Sequence, residues 1–425
     1  MVKVTTNQQS SIRLIDFIDP NHRIVILADS IDWQGLEKAF PELTTYCFGR
    51  PKLHPRLVLG LMMIQYLFDL SDRGVIERWV ENPYYQYFCG CEYFENEVPM
   101  HHSGLSKWRG RLHKNGVSKI LAETIRVGEK TKAVRKNSFK QVIFDTTVQP
   151  KNITHPTDSK LYHRTITQVA RLAKGNNVKL KQTFKKASKQ ALVMAGRYLH
   201  ARQSKRARVQ IKKLKVMSGR ILRDFKRKAS PEVLNNGFVK KQVETMEKII
   251  TQKKEDKNKI YSLHEPGVEC IAKGKVHKKY EFGCKVAIAC TAKECFIIDS
   301  QAIHGNPYDG HTLEESVKRA QKNTNHAIEV AIADKGYKGV SLEKIKTLLS
   351  GNKELSKEEK RLVSRRQAIE PIIGHCKREH RLGINRLKKI IGDVTNSVFS
   401  AIGYNLKAIL NAITNKLAQC KPTFS

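Results

Sequence analysis

The sequence predicts an α/β protein with a helical amino-terminal domain and a long basic helical insertion within its sheet-bearing core. Three observations predict it. Short apolar, β-branched runs recur at Gln141–Phe144, Tyr280–Cys290, Glu294–Ile303 and Ala327–Ala333, as buried strands do. Apolar residues at helical spacing fill Leu57–Leu70, Asp72–Val80 and Gly392–Leu417. Between Arg171 and Ile260 there are 27 Lys/Arg against 6 Asp/Glu, with few strand signals and many helix formers.

At 425 residues the chain is long enough for two or three domains with cores of their own. Lys+Arg number 78 against 40 Asp+Glu, a formal charge of +38, and residues 171–260 alone supply +21 of it (27 minus 6). Such a surplus attracts polyanions through counterion release, which makes double-stranded DNA the first partner to consider. An anionic membrane is the other candidate. There is no acylation signal, and the longest apolar patch, Leu57–Leu70, contains Gly60, Gln65 and Asp69 and reads as a core helix. The amino terminus lacks a secretory pattern, and nine scattered cysteines suit a reducing compartment, so the expected location is cytoplasmic and nucleoid-associated. Cys89 and Cys91 near His101 and His102 have the wrong spacing for a common zinc site and read as buried thiols.

Taken in order, residues 1–135 form the helical domain. Leu57–Leu70 is followed by Ser71, a capping residue, and by a helix presenting Val75, Ile76 and Trp79 to a core. The pair fits a helix-turn-helix-like unit or a plain helical hairpin. Trp108, Arg109, Arg111 and Lys114 then mark a basic helix, and the domain is read as contacting DNA. Residues 136–157 open the core, where a short strand delivers Asp145 at its end; an acid there is equally a turn former or cap. Residues 158–260 are the insertion. Its apolar residues keep helical spacing around Lys205, Arg206 and Arg208, so it reads as helices laid along a phosphate backbone, or else as a solvated arm.

Residues 261–425 complete the core. Tyr280–Cys290 and Glu294–Ile303 should pair as a hairpin, and the strand ending at Ala333 delivers Asp334, after which a helix is expected near Ser341. Both aspartates thus end core strands, where α/β sheets place their sites. Along Arg361–Arg381, Leu362, Ile369, Ile373 and Cys376 form one apolar stripe, and Arg366, Glu370 and Lys377 group beside it. A surface i,i+4 ion pair gives the same spacing. Pro371 predicts a kink or break at Glu370. Three converging acids would suit hard divalent cations, and two Mg²⁺ ions could serve an in-line displacement at phosphorus, with Arg366 and Lys377 facing phosphates. Without metal, mutual repulsion should raise the pKa of one acid. Asn306, Asp309 and His311 are as well explained by a turn and a helix cap.

The segments Arg50-Pro-Lys-Leu-His-Pro, Asp145-Thr-Thr, Tyr280-Glu-Phe-Gly, Gly305-Asn-Pro-Tyr-Asp-Gly-His-Thr-Leu, Asp334-Lys-Gly-Tyr and Ile369-Glu-Pro-Ile-Ile-Gly-His resemble the DDE-type insertion-sequence transposases, most closely the insertion-sequence five type. The broader group's helix signature is Tyr, two residues, Arg, three residues, Glu, six residues, then Arg or Lys. Arg366, Glu370 and Lys377 match it, and Val363 stands in place of the tyrosine. The resemblance implies an RNase H-like mixed sheet flanked by helices, with Asp145, Asp334 and Glu370 as catalytic, metal-binding acids using Mg²⁺ (two ions, with Mn²⁺ as a substitute). It implies cleavage at insertion-sequence ends and strand transfer, with the amino-terminal domain reading terminal inverted repeats and two copies of the chain synapsing the ends. The rivals are a metal-dependent nuclease that cuts without joining and a non-enzymatic DNA-binding protein.

Overall fold

A computed structural model describes residues 13–40, 53–112, 114–272, 279–340, 342–352 and 354–419. Residues 50–52 and Ser341, used above, lie outside them. The chain divides into two compact units, Met1–Pro150 with Cys284–Ser425, and Lys151–Gly283. No described helix is long and apolar enough to cross a membrane.

The first unit opens with helices α1 (Arg23–Ser30), α2 (Trp33–Ala39), α3 (Pro55–Leu67), α4 (Asp72–Glu81), α5 (Pro83–Phe88), α6 (Ser103–Arg111) and α7 (Lys114–Lys130), followed by strand β1 (Gln141–Pro150). Pro55 sits at the start of α3, where its missing N–H is no loss, and the Ser71 hydroxyl accepts from Gly74 N at 2.9 Å to cap α4. Helix α3 is apolar almost all round and is buried accordingly. Arg109, expected on a DNA-facing basic helix, lies in this core instead. Its guanidinium donates to Asp72 Oδ2 at 3.0 Å and to Gln65 Oε1 at 3.0 Å. A buried cation persists only when paired in this way, so Arg109 fastens α6 to α3 and α4.

The second unit carries α8 (Asp158–Gly175), α9 (Lys185–His200), α10 (Ser204–Lys228), α11 (Pro231–Asn235), α12 (Gly237–Thr251) and β2 (Glu269–Ala272), the last pairing antiparallel with Tyr280–Gly283 at the start of β3 (Tyr280–Thr291). Leu214, Ile221 and Phe225 of α10 pack with Ile166, Val169, Met246 and Ile249 into a core of the unit's own. Asp224, the lone acid between Arg171 and Ser230, accepts from the Lys181 backbone N–H and from Arg227, both at 2.7 Å. It pins the α8–α9 connection to α10 amid like charges.

The first unit resumes with β3, then β4 (Ile297–Ile303), α13 (Leu313–Thr324), β5 (Val330–Ala333), β6 (Lys346–Leu349), α14 (Lys357–Ser364), α15 (Ile369–Glu379) and α16 (Lys389–Gln419). Its strands lie in the order β4-β3-β1-β5-β6. The expected β3–β4 hairpin forms, with a register shift at Ala289/Cys290, while β1–β5 and β5–β6 are parallel. This is a mixed sheet flanked by helices, as in an RNase H-like core. Helix α16 packs across it. Tyr66 of α3 donates to Asn396 Oδ1 at 2.8 Å, Asn396 donates to Gln149 Oε1 at 2.8 Å, and Asn405 Nδ2 donates to Ile297 O at 2.8 Å. At Gly403 a Cβ would lie 2.6 Å from Tyr66 O, so glycine lets α16 and α3 approach closely.

Two expectations need correction. Strand β1 does not end at Asp145 but runs on to Pro150, because Thr146, Thr147 and Val148 suit an extended strand that continues beside β3 after β5 has ended. Where a helix was expected after Asp334, the chain makes a short 3₁₀ turn (Lys335–Tyr337) and then β6. Pairing with β5 overrides the helical preference of Lys346-Thr-Leu-Leu.

Candidate active site

Asp145 and Asp334 come from neighbouring parallel strands. Gln141, Val142 and Ile143 stand opposite Val330, Ala331 and Ile332. Two more steps along that register bring Asp145 opposite Asp334, where strands are about 4.8 Å apart.

Glu370 arrives on a helix whose start is dictated by Pro371. After α14 the chain tightens into a 3₁₀ turn, Arg365–Ala368, and α15 begins at Ile369. Pro371 therefore falls in the first turn of α15, where it has no helical N–H to lose. The expected break is present, one residue before Glu370. Ile369, Ile372 and Cys376 are buried, whereas Ile373 and Leu362 are half-buried. The stripe thus seats the helix and leaves Glu370 at its rim, with its side chain 68% exposed.

Arg366, on the 3₁₀ turn, joins the elements. Its Nη1 lies 3.8 Å from Asp145 Oδ2 and its Nη2 lies 3.7 Å from Glu370 Oε1. Its side chain is 16% exposed and that of Asp145 21%, so this pairing is sheltered in a way that the Glu370 pairing is not. The same guanidinium also acts electrostatically on Asp334. The structure thus brings Asp145, Asp334, Glu370 and Arg366 to one place.

The aspartates are held by short hydrogen bonds. Asp145 Oδ1 accepts from Thr146 N at 2.7 Å. Asp334 Oδ1 accepts from Ser350 Oγ at 2.6 Å and Lys335 N at 2.8 Å. The Ser350 hydroxyl above all, then the Lys335 N–H and the positive charges of Arg366 and Lys335, hold the Asp334 carboxyl below its ordinary value despite partial burial. The expectation of one acid raised by its neighbours is therefore not met at Asp334: hydrogen-bond donors and positive charges outweigh burial there. The buried Tyr337 hydroxyl has its pKa pushed up by burial and by the charges of Asp145, Asp309 and Asp334.

A further network was missed in the sequence. Thr146 Oγ1 donates to Asp309 Oδ1 at 3.0 Å, and Lys285 Nζ donates to the same oxygen at 2.8 Å and to Pro307 O at 2.6 Å. It ties the Gly305–His311 loop to the residue after Asp145, so Asp309 does more than form a turn. Ser350 had no signal of its own, because β6 was not expected. Lys377 lies two turns beyond Glu370 on α15 and is half-buried. Lys205, Arg206 and Arg208 belong to the second unit, exposed near the start of α10, where Arg206 also donates to Gln203 at 3.1 Å.

Residues 12–111 match the family described as "Transposase domain (DUF772)", and residues 249–406 match the "Transposase DDE domain" family. The chain belongs to the DDE-type insertion-sequence transposases. The DDE match takes in Asp334 and Glu370, and Asp145 lies between the two matched segments. The transposase is also 41% identical over 191 residues to a protein of Rhizobium meliloti named "Uncharacterized protein ORF8 in nfe locus", an alignment covering 45% of this chain and 92% of that one. No solved structure matches the chain at comparable stringency. Membership implies a transposase or nuclease-type enzyme that handles DNA with divalent metal.

Proposed function

We propose that this transposase cleaves DNA at the ends of its insertion sequence in a Mg²⁺-dependent reaction and joins the freed 3′-hydroxyl to target DNA, with Asp145, Asp334 and Glu370 as the catalytic acids. The observation that carries the reading is the convergence itself. Two aspartates in register on parallel strands meet a helix-borne glutamate, and one arginine reaches Asp145 and Glu370. Three carboxylates offer the oxygen donors that hard divalent cations take, so the residues present fit Mg²⁺ or Mn²⁺. Bound there, one or two such ions would activate the attacking hydroxyl and stabilise charge on the leaving oxygen.

The chain's own residues have separate tasks. Ser350 and the Lys335 N–H keep Asp334 ionised, and the Thr146 N–H holds Asp145 in one orientation. Arg366 offsets part of the acids' charge in the absence of metal and would turn to a phosphate once a cation replaces it. Lys377, with Lys205, Arg206 and Arg208 on α10, would contact the DNA backbone. The domain reading proposed is residues 1–135 for terminal repeats, 158–260 for backbone contact, and 136–157 with 261–425 for the catalytic core, working as a homodimer on two ends.

The test is a duplex carrying the element's own ends, incubated with Mg²⁺ and target DNA. Wild-type protein should give cut and joined products. Asp145→Ala should bind the duplex with the same salt dependence and give neither product. Identical product patterns from the two would overturn the assignment.

A further inference from the structure

We propose a second metal site, a zinc centre made by Cys284, His304 and Asp393. The three side chains come from β3, from the residue after β4 and from the second turn of α16, and their ligand atoms all lie within 4.8 Å of one another. Cys284 and Asp393 are buried and His304 is partly exposed.

The donor set selects the ion. A thiolate, an imidazole and a carboxylate are borderline-soft ligands suited to Zn²⁺, not the all-oxygen shell that Mg²⁺ takes. With Cys284 and Asp393 ionised and His304 neutral the ligands carry two negative charges, which a divalent ion cancels in a buried place. The spacing agrees. His304 Nε2 and Asp393 Oδ2 are 3.6 Å apart, long for a hydrogen bond but close to the roughly 3.4 Å between N and O ligands on a tetrahedral zinc.

The surroundings orient the ligands as outer partners of a metal site do. Asn385 Nδ2 donates to Asp393 Oδ1 at 2.6 Å, which leaves Oδ2 as the oxygen facing His304. Gln149 Nε2 reaches Cys284 Sγ at 3.5 Å and Asp393 O at 3.2 Å. His304 also lines a cavity of about 570 Å³ with Gln301, Pro307 and His311, while its Nε2, the atom turned to Asp393, is buried.

The centre has a structural purpose. Asn385 N donates to Pro150 O at 2.7 Å, and Gln149 is four residues along β1 from Asp145. Zinc here clamps β3 and the end of β4 to the start of α16, and the hydrogen bonds of Gln149 and Pro150 tie the far end of β1 to that clamp, which fixes the frame on which the acids converge. Binding releases the Cys284 thiol proton to solvent.

The full-length protein should carry one zinc per chain by elemental analysis after dialysis against Mg²⁺ buffer. After chelation, Co²⁺ should restore one equivalent with a thiolate-to-cobalt charge-transfer band. Cys284→Ser should lose the band and His304→Gln should weaken it, with folding followed by circular dichroism, whereas Asp145→Asn should keep it, which separates this centre from the acidic site. Wild-type protein without zinc and without the cobalt band overturns the proposal even if the variants do not fold. So does an undiminished band in Cys284→Ser.

Discussion

Replacing Arg366 by alanine probes how the acidic site balances its charge. The guanidinium lies 3.8 Å from Asp145 and 3.7 Å from Glu370. At such a distance a unit pair is worth about 4 kcal/mol at an effective dielectric of 20 and about 1 kcal/mol in water. Arg366 and Asp145 are 16% and 21% exposed, so their interaction falls between those limits. Glu370 is 68% exposed, and its share is that of a surface pair, under about 1 kcal/mol. A divalent cation entering the wild-type site must displace or tolerate this positive charge; in Arg366→Ala it meets the carboxylates alone. Allowing for the arginine swinging aside, the gain should be about 1.4 kcal/mol, or roughly tenfold tighter Mn²⁺ binding. Cleavage of end DNA should fall at the same time, because the cation proposed to face the phosphate is gone. Mn²⁺ titration followed by electron paramagnetic resonance, with Asp145→Asn as the control lacking a ligand, measures the affinity. Unchanged or weaker binding in folded Arg366→Ala would refute the reasoning.

Ser350→Ala should raise the Asp334 pKa, since its hydroxyl is the largest influence holding that carboxyl down. A carboxylate with a depressed folded pKa contributes stability above its unfolded pKa and loses it as pH falls through the folded pKa. The variant should therefore lose that contribution and shift the acid limb of cleavage to higher pH; an unmoved limb in a pH–rate profile counts against the role. Arg109→Ala strands Asp72 and Gln65 against the core and should cost about 3 kcal/mol in urea unfolding, whereas a loss within error would return Arg109 to the surface. Changing Lys205, Arg206 and Arg208 together to alanine should flatten the slope of log affinity against log salt by about 2–3, read by fluorescence anisotropy, and an unaltered slope would place the DNA elsewhere.

Much of this architecture was legible because local chemistry and tertiary demand agree. Ser71 caps α4 as its position before an apolar-periodic run suggested, the β3–β4 hairpin follows from β-branched strands around a short connection, and Pro371 forces the restart that delivers Glu370. Misreadings arose where a long-range partner decides the outcome. Lys346-Thr-Leu-Leu has little strand character of its own and becomes β6 only beside β5, which hid Ser350 from view. Arg109 looks like a DNA-facing cation until Asp72 and Gln65, 37 and 44 residues away, close around it. Asp309 sits in a loop whose composition already suits a turn, and only the fold brings Lys285 and Thr146 to its carboxylate. The likeness of Asp145 to Asp334 could be read as two acids after apolar runs, but their opposition depends on a parallel register that no spacing reveals.

The most direct measurement is anomalous diffraction from a crystal of the protein soaked in Mn²⁺. The account predicts a peak about 2.1 Å from carboxylate oxygens of Asp145 and Asp334, with Glu370 turned toward it and Arg366 displaced. At saturating Mn²⁺, no peak between those strands, or one that leaves either aspartate uncoordinated, would contradict it.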